Sequence, residues 1–244
     1  MLVGDWGKHE DNWKWVGFKT DSGMIYKPMP RDRDHVFSIW DGILPWLADR
    51  EWAKPSGENF DYEISGLRSL MWQARHLDRF IAADLDKSDW IKAANFVQDR
   101  ISDQVIEHAV RHMPSETYTI SGKEIEAKLK NRIRDLEKYA IEYYEMLAPE
   151  VDVVGSNDKE YFDIRRNDDG SVTVCMTDLT NDQKPGKDVF FERTFLIDET
   201  EEIRAGGIVT VYPGELPAIL ACFLQSDKSL HRTRTRQSLG LLAE

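Results

Sequence analysis

The stretch SGKEIEAKLKNRIRDLEKYAIEYYEMLAPEVDVV, Ser121–Val154, changes its periodicity once, and that change decides the fold class. Ile125, Leu129, Ile133, Leu136, Ala140 and Tyr143 recur at three- and four-residue steps or their sums, so they line one face of a helix. Ser121 and Glu124 have the spacing of a capping box at its start. Pro149 stops it, because a proline offers no amide to the helical ladder. From Val151 the pattern turns β-branched with a period of two.

Towards the N-terminus two further helices are expected. Leu67, Leu70, Met71, Ala74, Leu77, Ile81 and Leu85 share a face after a capping Ser65. Ala93, Val97, Ile101, Val105, Ala109 and Met113 share another, between Asp89 and the stop at Pro114. Towards the C-terminus, Tyr161–Arg166, Ser171–Thr177 and Val189–Ile197 alternate as strands, separated by Asn167-Asp168-Asp169-Gly170 and by Asn181–Gly186. The expectation is an α+β protein: an N-terminal hairpin and three-helix unit over residues 1–149, then an antiparallel β-meander over 150–204. Beyond Arg204, acidic residues thin out and Lys228, Arg232, Arg234 and Arg236 form a basic run, so residues 205–244 are expected to be a disordered or artefactual tail.

Composition excludes some partners. With 44 acidic against 32 basic side chains the net charge is −12, which opposes binding to nucleic acid phosphates. No run of about 18 apolar residues is present to span a membrane. Cys175 and Cys222 are too few and too far apart for a disulfide framework or a zinc cluster. Lys123–Lys138 alternates in charge, with Glu124–Lys128 and Glu126–Lys130 at i,i+4, and reads as a solvated helix face. His76 beside Asp78 reads as helix surface in the same way.

All eight tryptophans lie between Trp6 and Trp90, which concentrates attention on Gly4–Phe37. Trp13-Lys14-Trp15 and Met24–Pro30 flank the turn Asp21-Ser22-Gly23 and predict a hairpin. The loop Gly4-Asp5-Trp6-Gly7-Lys8-His9-Glu10-Asp11-Asn12 precedes it, and Arg31-Asp32-Arg33-Asp34-His35-Val36-Phe37 follows. A kinase-like site takes hard oxygen ligands for Mg2+ from an Asn ending a loop and an Asp just past the following hairpin. Asn12 and Asp32 or Asp34 stand in that order, and an extended backbone would point both carboxylates the same way. The competing reading is a Trp-lined scaffold in which Arg31 and Arg33 neutralise nearby carboxylates.

Gly4–Asn12 resembles the catalytic-loop motif of atypical kinases, Gly-Asn-x-Asp-Arg-His-x-x-Asn in HipA-type toxin kinases and secreted Golgi-type kinases. Asp32-x-Asp34-x-x-Phe37 is similar to the Asp-x-Asp metal motif of the CotH spore-coat kinases. Gly4–Trp15, Pro30–Gly42, Tyr143–Asp163 and Thr200–Arg204 together resemble a bacterial cell-envelope family. In that family this region lies beside a calcineurin-like metallophosphoesterase domain, an outer-membrane β-barrel, or both. The resemblance implies a kinase-like C-lobe over the first 149 residues, Mg2+ and ATP as cofactors, a nucleotide or phosphorylated substrate as partner, and the envelope of a Gram-negative bacterium as location.

On that likeness Asn12 and Asp34 hold the nucleotide-bound metal, Asp32 is an alternative ligand, and His9 takes the histidine place. The base aspartate falls on Gly7 and the following arginine on Lys8. Glycine accepts no proton, and loss of a general base costs roughly 10²–10⁴-fold in rate. Asp5 and Asp11, on the same loop, are the candidate substitutes. A kinase's phosphate cover and lysine precede its catalytic loop, so the chain is expected to be the back part of a larger protein, inactive by itself as a phosphotransferase. The other class implied is a noncatalytic accessory or scaffold module of an outer-membrane-associated metallophosphoesterase.

Overall fold

A computed structural model describes residues 1–21, 23–40, 42, 57–156, 158–182, 184–206, 209–211, 213 and 219–225. They divide into two compact units: Met1–Asp78 with Lys87–Met146, and Arg79–Asp86 with Leu147–Glu244. Helices and mainly antiparallel sheets combine in an α+β fold.

In the first unit a 3-10 turn, Glu10–Asn12, leads into β1 (Trp13–Thr20) and β2 (Gly23–Pro30). The two strands pair antiparallel from Trp13 opposite Pro30 to Thr20 opposite Gly23, the predicted hairpin. The helices are more broken than the sequence led us to expect. The first is α1 (Leu67–Met71) and α2 (Arg75–Ile81). The second is α3 (Lys87–Arg100) and α4 (Asp103–Val110). Ser102 causes that break: its backbone is extended and its hydroxyl caps α4, accepting from the Val105 amide at 3.4 Å. Past the break the buried positions are Ile106 and Val110 in place of Val105 and Ala109, with Val105 47% exposed, while Val97, Ile101 and Met113 pack against the core as expected.

The expected capping box at Ser121 does not form, because the chain is already helical upstream. A short α5 (Ser115–Thr117) runs into a π-helical turn, Tyr118–Gly122, and then α6 (Lys123–Arg134) and α7 (Leu136–Leu147). Ser121 instead donates its hydroxyl to the Thr117 carbonyl at 3.2 Å. The Tyr118 ring covers Gly122, where a Cβ would meet it at 2.3 Å, so only glycine leaves room for this packing.

All six residues of the predicted stripe from Ile125 to Tyr143 are buried. The charged face is solvated only in part: Glu124 makes the expected i,i+4 pair with Lys128 at 2.7 Å, but Glu126, Lys128 and Arg132 are buried. Glu126 pairs with Lys123 and accepts from the Tyr118 hydroxyl, while Lys130 reaches Glu107 and Asp103 instead. Arg132 donates to the carbonyls of Asp61 at 2.6 Å, Asn59 at 3.3 Å and Met1 at 3.4 Å, with its guanidinium 4.4 Å from the Phe60 ring. Burial pushes that guanidinium down to about 10, so it remains a cation at neutral pH. A buried cation satisfied by backbone carbonyls fixes the course of residues 59–61.

The second unit holds β3 (Glu150–Val153), β4 (Lys159–Arg166), β5 (Val172–Leu179), β6 (Pro185–Phe195), β7 (Glu202–Ala205), β8 (Val209–Val211) and β9 (Ile219–Gln225). The meander is β4-β5-β6; β3 leaves it and pairs parallel with β7, Val151 opposite Ile203. Phe162, Ile164, Val172, Val174 and Phe195 fill the core with Val153 and Ile203. The turn at Asn167–Gly170 is the hairpin expected there, with Gly170 at φ 87.

The tail expectation needs correction for part of its length. The apolar run Ile219–Leu224 forms β9 and pairs antiparallel with β4, Phe162 opposite Cys222, giving the sheet order β6-β5-β4-β9. Without β9 that edge of β4 would present unpaired backbone groups. The basic run from Lys228 to Arg236 lies outside the described residues.

Candidate functional site

The loop before the hairpin is fastened to the segment after it. Asp5 is buried; its carboxylate accepts from the Gly7 amide at 3.1 Å and forms an ion pair with Arg33, across the length of the hairpin. Asn12 donates its side-chain amide to the Gly7 carbonyl at 2.8 Å, closing the turn from Gly7 to Asn12. The Arg31 amide in turn donates to the Asn12 carbonyl at 2.8 Å, which continues the β1–β2 ladder to the loop. Arg33 lies 4.6 Å from the Trp13 ring and Lys8 5.4 Å from it, so the indole makes cation–π contacts to both.

Lys8 carries the loop into the helices. Its ammonium donates to both carboxylate oxygens of Asp78, at 2.8 and 2.9 Å, and the Tyr143 hydroxyl donates to the same carboxylate at 2.8 Å. Asp78 is thus a buried anchor on α2. Its signal was present in the sequence only as an acid within one residue of an apolar stripe, which does not tell a buried pair from a solvated one.

His35 occupies the space beside Gly7. A Cβ on Gly7 would lie 2.6 Å from His35 Nδ1, and the imidazole packs tilted against Trp6 with ring centroids 3.7 Å apart. Trp6 meets Trp40 edge-on at 5.5 Å. His35 Nδ1 lies 3.0 Å from Asp34 Oδ1 without making a hydrogen bond.

Of the residues singled out as catalytic, Asp5 is committed to Arg33 and to the Gly7 amide. Asp11 is 90% exposed, with Oδ2 3.9 Å from His9 Nδ1. Of the metal candidates, Asn12 uses its amide NH2 on Gly7, which leaves its carbonyl oxygen chemically able to ligate. Asp34 is 71% exposed. Asp32 sits in the left-handed region, φ 50, so Asp32 and Asp34 do not follow the extended backbone that would align their carboxylates. Phe37 shares that left-handed backbone at φ 61 and packs edge-on against Phe60 at 4.9 Å.

Among the described residues no three His, Cys, Asp or Glu side chains form a metal-holding group. Asn12 falls outside those residue types; amide and carboxylate oxygens are the donor type Mg2+ prefers. The loop therefore offers ligand oxygens and cations but holds its one buried carboxylate away from proton transfer. Among the described residues no helix is long and apolar enough to cross a membrane. Comparison with protein-family models, with characterised proteins and with solved structures finds no match.

Proposed function

We propose that Gly4–Phe37 is a kinase-like site that binds Mg2+ and a nucleotide but lacks the base for efficient phosphoryl transfer. One observation carries this reading: the Asn12 amide closes back on the Gly7 carbonyl, bringing the metal-ligand position against the base position. Asn12, Asp34 and Asp32 would hold the metal, which would neutralise phosphate charge. Lys8 and Arg33 keep the loop in register through Asp78 and Asp5. Following the resemblance, the setting is the envelope of a Gram-negative bacterium, with a nucleotide or phosphorylated substrate as partner.

Calorimetry with Mg2+ and ATP tests this on the chain and on a version extended upstream. Saturable heat that disappears in Asp34→Ala supports the site. No heat with the extended wild type removes it.

A second reading, a noncatalytic accessory or scaffold module of an outer-membrane-associated metallophosphoesterase, is favoured by the Asp5–Arg33 pair. That pair consumes a buried carboxylate in holding two segments together. It predicts that Asp34→Ala alters neither folding nor association with the phosphoesterase.

A further inference from the structure

We infer that the hairpin joins two copies of this chain edge to edge through β1, making a four-stranded antiparallel sheet. The inference stands apart from nucleotide binding, because it rests on the edges and side chains of the hairpin.

The two edges of the hairpin differ. Arg31 donates to the Asn12 carbonyl, and antiparallel ladders alternate bonded and non-bonded pairs, so Lys14, Val16, Phe18 and Thr20 face β2 with their backbone groups. Trp13, Trp15, Gly17 and Lys19 turn theirs to the outer edge. On β2 the outer edge belongs to Met24, Tyr26, Pro28 and Pro30. The two prolines have no N–H, so that edge lacks half its donors. Trp13 spends its N–H on the Glu10 carbonyl, but the β1 edge keeps the donors of Trp15, Gly17 and Lys19, and among the described residues no further strand joins the β1–β2 sheet. An open, uncharged row of backbone donors and acceptors is a template for another strand.

Side chains select the second copy as the strand that fits. Trp15, Phe18, Met24, Ile25, Tyr26 and Met29 are each about half exposed, on both faces of the ribbon. Pairing of β1 with itself about Gly17 sets Val16 opposite the second copy's Phe18 and Trp15 opposite its Lys19, an apolar pair and a cation–π pair, each made twice. The same register sets Asp21 at the tip of each hairpin opposite Trp13 at the base of the other. Glycine on the axis lets the two backbones approach with no side chains opposed. Each chain carries −12, so the copies repel at low salt and associate more tightly as salt screens them.

Sedimentation velocity of the full chain across the micromolar range reads the association. Wild type should dimerise, more so in high salt. Trp15→Pro and Lys19→Pro each delete an outer-edge donor and spare the β1–β2 ladder, and should weaken the dimer by about tenfold or more. Tyr26→Pro makes the same change on the closed edge and should leave it intact. Lys19→Glu, which keeps the backbone, should weaken it as well and decides the matter should a proline variant fail to fold. A wild type that stays monomeric in high salt would overturn the inference, as would equal weakening by Tyr26→Pro and Trp15→Pro.

Discussion

The side-chain amide of Asn12 donates to the carbonyl of Gly7 at 2.8 Å, an oxygen that also accepts from the His9 amide, so the residue before the hairpin is tied back to the middle of its loop. Asn12→Ala should lower stability by about 1 kcal/mol, the usual net worth of such a bond. Asn12→Asp should cost more, since a carboxylate would face a carbonyl with no donor between them. Urea denaturation ranks the two variants, and equal stability of all three proteins would show that the loop closes by other means.

Gly7 and His35 exclude one another's side chains. Gly7→Ala places a Cβ 2.6 Å from His35 Nδ1 and should destabilise by about 1–3 kcal/mol through overpacking. In a His35→Ala background the same change should cost markedly less, a non-additivity measured by a double-mutant cycle. Restoring the expected aspartate by Gly7→Asp should meet the same obstacle, so any gain in phosphoryl transfer should appear only when His35 is also reduced.

The Lys8–Asp78 pair predicts a different pattern. Lys8→Met takes the hydrogen-bonded cation away from the buried Asp78 carboxylate, leaving the Tyr143 hydroxyl bond, and should cost about 3 kcal/mol. Lys8→Met combined with Asp78→Leu should be less destabilising than the sum of the single changes, because the uncompensated charge is gone. Additive losses in thermal unfolding would place the effect in packing instead.

Glu126 should contribute to acid sensitivity. Burial pushes its carboxyl up, but hydrogen bonds from Lys123 and Tyr118 outweigh that and hold it below its ordinary 4.5. Because the folded value is depressed, the stability it supplies is complete above about 4.5 and is lost as pH falls through the folded value. Glu126→Gln should therefore show a flatter decline of unfolding free energy in acid than wild type. Parallel profiles would remove Glu126 from the acid response.

The sequence by itself determined the α+β class, the β1–β2 hairpin, the buried stripe from Ile125 to Tyr143 and the turn at Asn167–Gly170. Each follows from periodicity or turn chemistry acting over a few residues. It also marked Gly4–Phe37 by its tryptophans, and named Arg33 as a partner for a nearby carboxylate. Only the tertiary structure decided which carboxylate that was, that Asp78 is a buried anchor, and that Lys128 and Arg132 turn inward to backbone carbonyls. A charged residue on a helix face looks the same in sequence whether water or a distant carbonyl satisfies it. The parallel pairing of β3 with β7 and the place of β9 beside β4 were hidden for the same reason. Period tells which face of a strand is apolar, while the neighbouring strand is set by contacts some 50 or more residues away, as between Val151 and Ile203.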